Sequence, residues 1–163
     1  AAVALIQSLG EGARAAAWTA LLDAWRAPAS RVALAQVLAA SGAVHAAIDL
    51  SDGIAGDLAH LCAASGVGAV LDRATWPRDL LLEAAAQALG RDGFDLAAGA
   101  SDDYELLLAV DSSGLERAAA IAHEAGVEWS ALGRFTPSPG VLEWLDPAGG
   151  RVPLATKGFE HFG

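Results

Sequence analysis

The sequence predicts an α/β (α+β) domain in which a mixed β-sheet is covered by helices. Three observations carry that expectation. Short apolar runs bounded by glycine and polar corners alternate with segments whose apolar residues recur every three or four positions. Toward the end of the chain the helical spacing gives way to short runs separated by proline- and glycine-rich turns, the pattern of a meander. Hydrophobic residues make up 54 % of the chain and charged residues 18 %, enough apolar material for a buried core.

The first 43 residues read as helical. Residues 11–25 carry Ala15, Trp18, Leu21, Leu22 and Trp25 along one stripe, and Arg26-Ala27-Pro28 breaks it. Ser30 suits the cap of a second helix running through residue 40, with Gly42 as its stop. Residues 44–50 read as a short buried strand ending in a polar corner, Ser51-Asp52-Gly53. A helix follows to about residue 65; Ile54, Leu58 and Leu61 mark its inner face, Asp57 and His60 its outer face, and Gly66 closes it. Residues 67–71 make another short strand. Pro77 precedes a helix over 79–89. Residues 90–100 are rich in glycine and alanine, show no clear period, and read as loop with at most a turn of helix. Residues 104–110, Tyr-Glu-Leu-Leu-Leu-Ala-Val, have the composition of a strand. Ser112 or Ser113 caps a helix through residue 125, which Gly126 ends. Strands over 129–135 and 141–145 are joined by Pro137-Ser138-Pro139-Gly140, and Pro147-Ala148-Gly149-Gly150 turns into a last short strand around 152–154. No internal repeat or long linker interrupts the pattern, so residues 1–163 read as one domain.

Charge narrows the function classes. A net charge of −10 repels phosphate backbones and anionic lipid, so neither nucleic acid nor a membrane surface is an expected partner. Acidic clusters can instead recruit divalent cations, and cations can carry phosphates. The single cysteine, Cys62, excludes an internal disulfide, fits a cytoplasmic protein, and is expected to be buried as a small hydrophobe. The beginning, Ala1-Ala2-Val3-Ala4-Leu5, reads as the interior of something longer.

Three segments could carry chemistry. In Ala47-Ile48-Asp49-Leu50-Ser51-Asp52-Gly53, two carboxylates flank a serine where a strand ends and a helix begins. Asp49 and Asp52 could ligate Mg2+ while Ser51 bonds a phosphate, and free amides at the helix start would favour the same anion. Equally, Ser51 or Asp52 could be a plain helix cap. In Ser101-Asp102-Asp103-Tyr104-Glu105, three acids within four residues open an apolar strand, which calls for a cation, a cationic ligand or full solvation. In the tail, Lys157-Gly158-Phe159-Glu160-His161-Phe162, an aromatic ring could stack on a flat heterocycle or could plug the edge of the core. His45, His123 and Cys62 lack metal-site spacing, so no zinc site is expected.

Jointly, these segments resemble a known family. The stretch from Ala47 to Leu58 is similar to the D-[IL]-S-D-G-[LI] segment of thiamine-monophosphate kinases. Asp102-Asp103-Tyr104-Glu105-Leu106-Leu107 resembles their G-G-[DE]-D-Y-E-L-L segment, and Lys157 to Phe162 resembles their closing G-[YF]-[DE]-H-F. Order and spacing match, and the stretch from Arg26 to Arg31 is similar to the family's lead-in. The resemblance implies a PurM C-terminal-like domain and an enzyme that transfers the γ-phosphoryl of ATP to thiamine phosphate with Mg2+. Carried over by position, it implies Asp49 and Asp52 as Mg2+ ligands and Ser51 as a contact of ATP phosphate. It also implies Asp102 as a contact of the substrate and Phe159 as its stacking partner. It further implies a homodimer in the full-length protein and an N-terminal ATP- and Mg2+-binding domain that nothing in these residues resembles, so that the isolated chain is expected to be inactive. Two departures from that reading remain open: another PurM-like ATP-dependent enzyme, of the aminoimidazole ribonucleotide synthetase or hydrogenase maturation type, and a non-catalytic ligand-binding or assembly module. The family's Gly-Gly before the acids is Ala100-Ser101 in this chain.

Overall fold

Residues 2–14, 16–99, 101 and 103–154 are described by a computed structural model of the chain. Seven α-helices and six strands alternate along them: α1 (Ala2–Leu9), α2 (Thr19–Arg26), α3 (Val32–Ser41), β1 (Val44–Asp49), α4 (Ile54–Ser65), β2 (Gly68–Asp72), α5 (Leu80–Ala88), α6 (Gly93–Ala98), β3 (Leu106–Val110), α7 (Leu115–Glu124), β4 (Gly133–Thr136), β5 (Leu142–Leu145) and β6 (Arg151–Pro153). The α/β class expected from the sequence is therefore found, with the strands divided between two sheets rather than joined in one.

The first sheet is the antiparallel pair β1–β3, in register from Val44 opposite Val110 to Asp49 opposite Leu106, with an irregularity between Val44 and Ala46. The second has the order β4-β2-β5-β6; β2 runs parallel to β5 and antiparallel to β4, and β6 returns antiparallel along β5. The expected meander is corrected here, because β4 and β5 flank β2 instead of pairing with each other. The reason is burial: Gly68, Ala69, Val70 and Leu71 are all buried, and a strand without a solvated face belongs between two neighbours.

Three apolar clusters hold these layers. One packs Leu50, Ile54, Leu58 and Cys62 from the β1–α4 unit against Leu71 of β2 and Leu142 of β5. A second packs Leu5 of α1 against Ala85, Ala86 and Leu96 of α5 and α6. A third joins Leu38 of α3, Ala43 and Ala118 of α7, with Leu108, Val110 and Trp129 packed against it. Trp76, Phe94 and Trp144 form an aromatic group with centroids 4.9 and 5.0 Å apart, and the Arg73 guanidinium lies over two of those rings.

Several local expectations change. The helix expected over 11–25 is α2 preceded by 3-10 turns at Gly10–Arg14 and Ala16–Trp18, and α1 lies before them. Gly10 and Gly12 interrupt what the apolar stripe alone made continuous. Residues 90–100 contain α6, capped by Asp92, whose carboxylate accepts the amides of Phe94 (2.9 Å) and Asp95 (3.2 Å). At α7 the N-cap is Gly114, not Ser112 or Ser113, and no side chain caps the helix; Asp111 braces the turn before it, accepting from the Gly114 amide at 2.7 Å and the Ser113 hydroxyl at 2.6 Å. The strand expected over 129–135 is confined to β4, and β3 starts at Leu106 rather than residue 104 because Tyr104 has φ 54°.

Candidate functional site

The corner between β1 and α4 is built by one apolar anchor and one buried acid. Leu50 follows Asp49, and its side chain sinks into the first cluster. Its backbone is paired on both sides: the Leu50 amide donates to the Glu105 carbonyl, and its own carbonyl accepts from the Tyr104 amide, both at 2.8 Å. These bonds prolong the β1–β3 ladder by a step and strap the Ser51-Asp52-Gly53 corner to the Asp103-Tyr104-Glu105 segment. Two motifs separated by some fifty residues are thereby held side by side.

Gly53 then turns the chain with φ 94° and ψ 159°, a conformation essentially restricted to glycine. The turn lets the first residues of α4 look back at the corner. Asp57 uses this: its Oδ2 accepts the amides of Ser51 at 3.0 Å and Asp52 at 3.1 Å. The residue is 2 % exposed, so its expected place on the outer face of the helix is corrected. Asp57 lies three residues after Ile54 and one before Leu58, on the apolar face by helical spacing; its charge masked that signal. His60 is exposed, as expected. The N–H groups of Ser51 and Asp52, just ahead of the helix, are taken by Asp57.

Asp49 and Ser51 are exposed and Asp52 is half-buried, so the three polar groups of the corner are reachable from solvent. Among the acids of the second segment, Asp103 accepts the Ser101 hydroxyl at 2.7 Å. Glu105 takes a two-pronged grip from Arg31, Nε to Oε2 at 2.8 Å and Nη2 to Oε1 at 2.6 Å. That hydrogen bond, opposed by desolvation and helped by the charge, pushes the Arg31 guanidinium above its ordinary value. Two of the three crowded carboxylates thus have partners inside the chain. Asp102 and Phe159 lie outside the described residues, as does Ala100.

Among the described residues no group of three or more His, Cys, Asp or Glu side chains could by itself hold a metal ion. The donor set at the corner nonetheless fits Mg2+, a hard cation commonly held by one or two carboxylates, with water and substrate phosphates filling its remaining positions. Asp49, exposed, and Asp52, half-buried, offer carboxylates of that chemistry. Two cavities of about 460 Å³ lie elsewhere, one between α5 and α6 around Arg73 and Phe94, the other between β3 and residues 127–135. Neither is lined by Asp49, Ser51 or Asp52. No helix among the described residues is long and apolar enough to cross a membrane.

Residues 6–144 match the family described as AIR synthase related protein, C-terminal domain. Among curated proteins, a thiamine-monophosphate kinase of Rhodopirellula baltica is 40 % identical over 83 residues, covering 51 % of this chain and 26 % of that protein. One of Caulobacter vibrioides is 35 % identical over 129 residues, covering 75 % of this chain and 35 % of that protein. The chain thus spans about a third or less of the length of these relatives. Among solved structures, thiamine-monophosphate kinase from Stenotrophomonas maltophilia K279a superposes with a TM-score of 0.75 at 28 % identity, over 88 % of this chain and 46 % of that one. AaThiL complexed with AMPPCP and TMP superposes with a TM-score of 0.76 at 21 % identity, over 99 % of this chain and 47 % of that one, and so shares the fold. With the greater part of its residues matched, the chain belongs to the AIR synthase related family as a C-terminal domain, and its similarity within that family is to thiamine-monophosphate kinases.

Proposed function

We propose that this chain is the C-terminal domain of a Mg2+-dependent kinase that converts ATP and thiamine phosphate to ADP and thiamine diphosphate. The observation that carries the reading is the pairing of Leu50 with Tyr104 and Glu105, which brings the Asp49–Asp52 corner against the second acidic segment. The names of the relatives support the choice of substrate, and the AMPPCP bound by AaThiL, a non-hydrolysable ATP analogue, supports the choice of phosphoryl donor.

In this reading Asp49 and Asp52 are Mg2+ ligands, and Ser51 donates its hydroxyl to an ATP phosphate oxygen. Mg2+ supplies neutralisation of the phosphate charge that otherwise repels the nucleophile. The chain's own part is positioning. The corner fixes the donor phosphates, while Asp102 and Phe159 hold the acceptor, the ring of Phe159 stacking on the flat cationic heterocycle. Phosphoryl transfer demands little covalent chemistry from a protein, so no general base is assigned. A further part of the same reading is that a preceding domain supplies the remaining metal ligands, that the full-length protein is a homodimer, and that the isolated chain does not turn over.

The test is calorimetric titration of thiamine phosphate, with and without Mg2+ and AMPPCP, into this chain and into the full-length protein. Binding that weakens in Asp102→Ala and Phe159→Ala is expected. Thiamine phosphate binding unaffected by either substitution, or none to the full-length protein, overturns the assignment. Thiamine diphosphate formation by the 163-residue chain alone would refute the need for a second domain.

A further inference from the structure

We infer that Asp57 is a positioning residue of the corner: by holding the amides of Ser51 and Asp52 it presets Asp49, Ser51 and Asp52 for a divalent cation. The inference rests on the metal-binding reading of the corner given above. Its own ground is independent of any motif resemblance. A carboxylate that is 2 % exposed carries a desolvation cost, and such a group is kept where it meets specific donors. The two amides it meets belong to Ser51 and Asp52, themselves candidate ligands, and one oxygen, Oδ2, takes both.

The geometry explains why the anchor comes from within α4. The Asp57 amide donates to the Gly53 carbonyl at 3.0 Å, which fixes Asp57 in the first turn of the helix. Its carboxylate then reaches back past Gly53 to the corner. Leu50 is clamped from the other side by the Glu105 carbonyl and Tyr104 amide. The stretch between those two anchors, Ser51-Asp52-Gly53, therefore has its main chain set before any ligand arrives. The same arrangement removes the Ser51 and Asp52 amides from anion binding. At those two residues a phosphate is met through side chains and metal. Groups that orient metal ligands from behind tune affinity, their loss typically costing about 10- to 100-fold.

The experiment uses the full-length protein and Mn2+ alone as the probe for the Mg2+ site, titrated by electron paramagnetic resonance. Amide hydrogen exchange is followed over a peptide containing residues 50–56. Asp57→Ala is expected to weaken Mn2+ binding about 10- to 100-fold and to deprotect the corner amides. Asp57→Asn is expected to restore both, since its carbonyl oxygen can accept the same two N–H groups. A core substitution remote from the corner, Leu38→Ala, is expected to lower the melting temperature and leave Mn2+ affinity unchanged. If Asp57→Ala fails to fold, Asp57→Glu serves instead, because a longer arm displaces the corner and must weaken Mn2+ in the same way. Wild-type Mn2+ affinity in the folded Asp57 variant, or an equal loss in Leu38→Ala, overturns the inference. Asp49→Asn and Asp52→Asn separate the two claims. Loss of Mn2+ in these with an unaffected Asp57→Ala ends the positioning role alone, whereas no loss in any of them ends the metal reading of the corner and the inference with it.

Discussion

Arg31 and Glu105 stand 74 residues apart in the chain and meet through two parallel hydrogen bonds of 2.8 and 2.6 Å. The pair ties the start of α3 to the residue whose carbonyl clamps Leu50. A planar guanidinium fits this two-pronged geometry and an ammonium does not. Arg31→Lys is therefore expected to lose most of what the pair contributes, about 1 kcal/mol given its partial exposure. Urea unfolding of Arg31→Ala, Glu105→Ala and the double variant measures the coupling. A lysine variant as stable as the parent would show that a point charge suffices there.

Cys62 packs inside the first cluster at 1 % exposure, and burial pushes its thiol above the ordinary range. Raised and enclosed, the thiol is a poor nucleophile. In the folded chain it is expected to resist maleimide at pH 8, and to react at once in denaturing urea. Rapid labelling of the native protein would contradict its place between α4 and β2.

Asp111 is held well below the usual carboxylate range, at about 2 instead of 3.8, chiefly by the Ser113 hydroxyl, then by the Gly114 amide and by His45. A depressed folded value means that the group stabilises the fold above pH about 3.8 and that this contribution fades as pH falls through about 2. Carbon NMR of its carboxyl should show the low midpoint. Urea midpoints collected down the same pH window should fall less steeply in Asp111→Asn. A carboxyl that titrates at the ordinary value would refute these contacts.

What could be read from the sequence was what is local. Gly66 and Gly126 stop their helices as expected, with Val67 and Val127 donating back to Cys62 and Ala122 at 3.1 and 2.9 Å. The strand, polar corner and helix around Asp49, Ser51 and Asp52 were also legible, because a run of apolar residues ending in Ser-Asp-Gly is a contiguous signal. Asp57 was not, since the meaning of a buried acid lies in donors supplied five and six residues earlier through a glycine turn. The order β4-β2-β5 was not legible either, because strand neighbours are chosen by burial across the fold and not by adjacency in the chain. Helix α6 had its cap written at Asp92, but six residues rich in glycine and alanine show too little periodicity to declare it.

Gly133 approaches β2 so closely that a β-carbon there would collide with the Val70 carbonyl oxygen and stand 2.8 Å from the Leu71 Cα. Both are backbone atoms and cannot swing aside. Gly133→Ala is expected to part β4 from β2 and to destabilise the fold by roughly 1–3 kcal/mol. A denaturant midpoint unchanged from the parent would mean that β4 does not pair with β2 in this register.

Gly53 separates the candidate ligands from the helix whose carboxylate holds them. Any side chain at φ 94° and ψ 159° is strained, at a cost of roughly 1–3 kcal/mol if the conformation is kept. If it is not kept, the Ser51 and Asp52 amides swing away from Asp57. Gly53→Ala is therefore expected to act on two readouts together. Its melting temperature should fall, and hydrogen exchange at the corner amides should accelerate. Gly66→Ala is the control: it also lies at positive φ, 64°, but at the far end of α4. It should lower stability and leave the corner amides protected. Matching exchange in the two variants would show that the corner answers to the stability of α4 as a whole and not to the turn at Gly53.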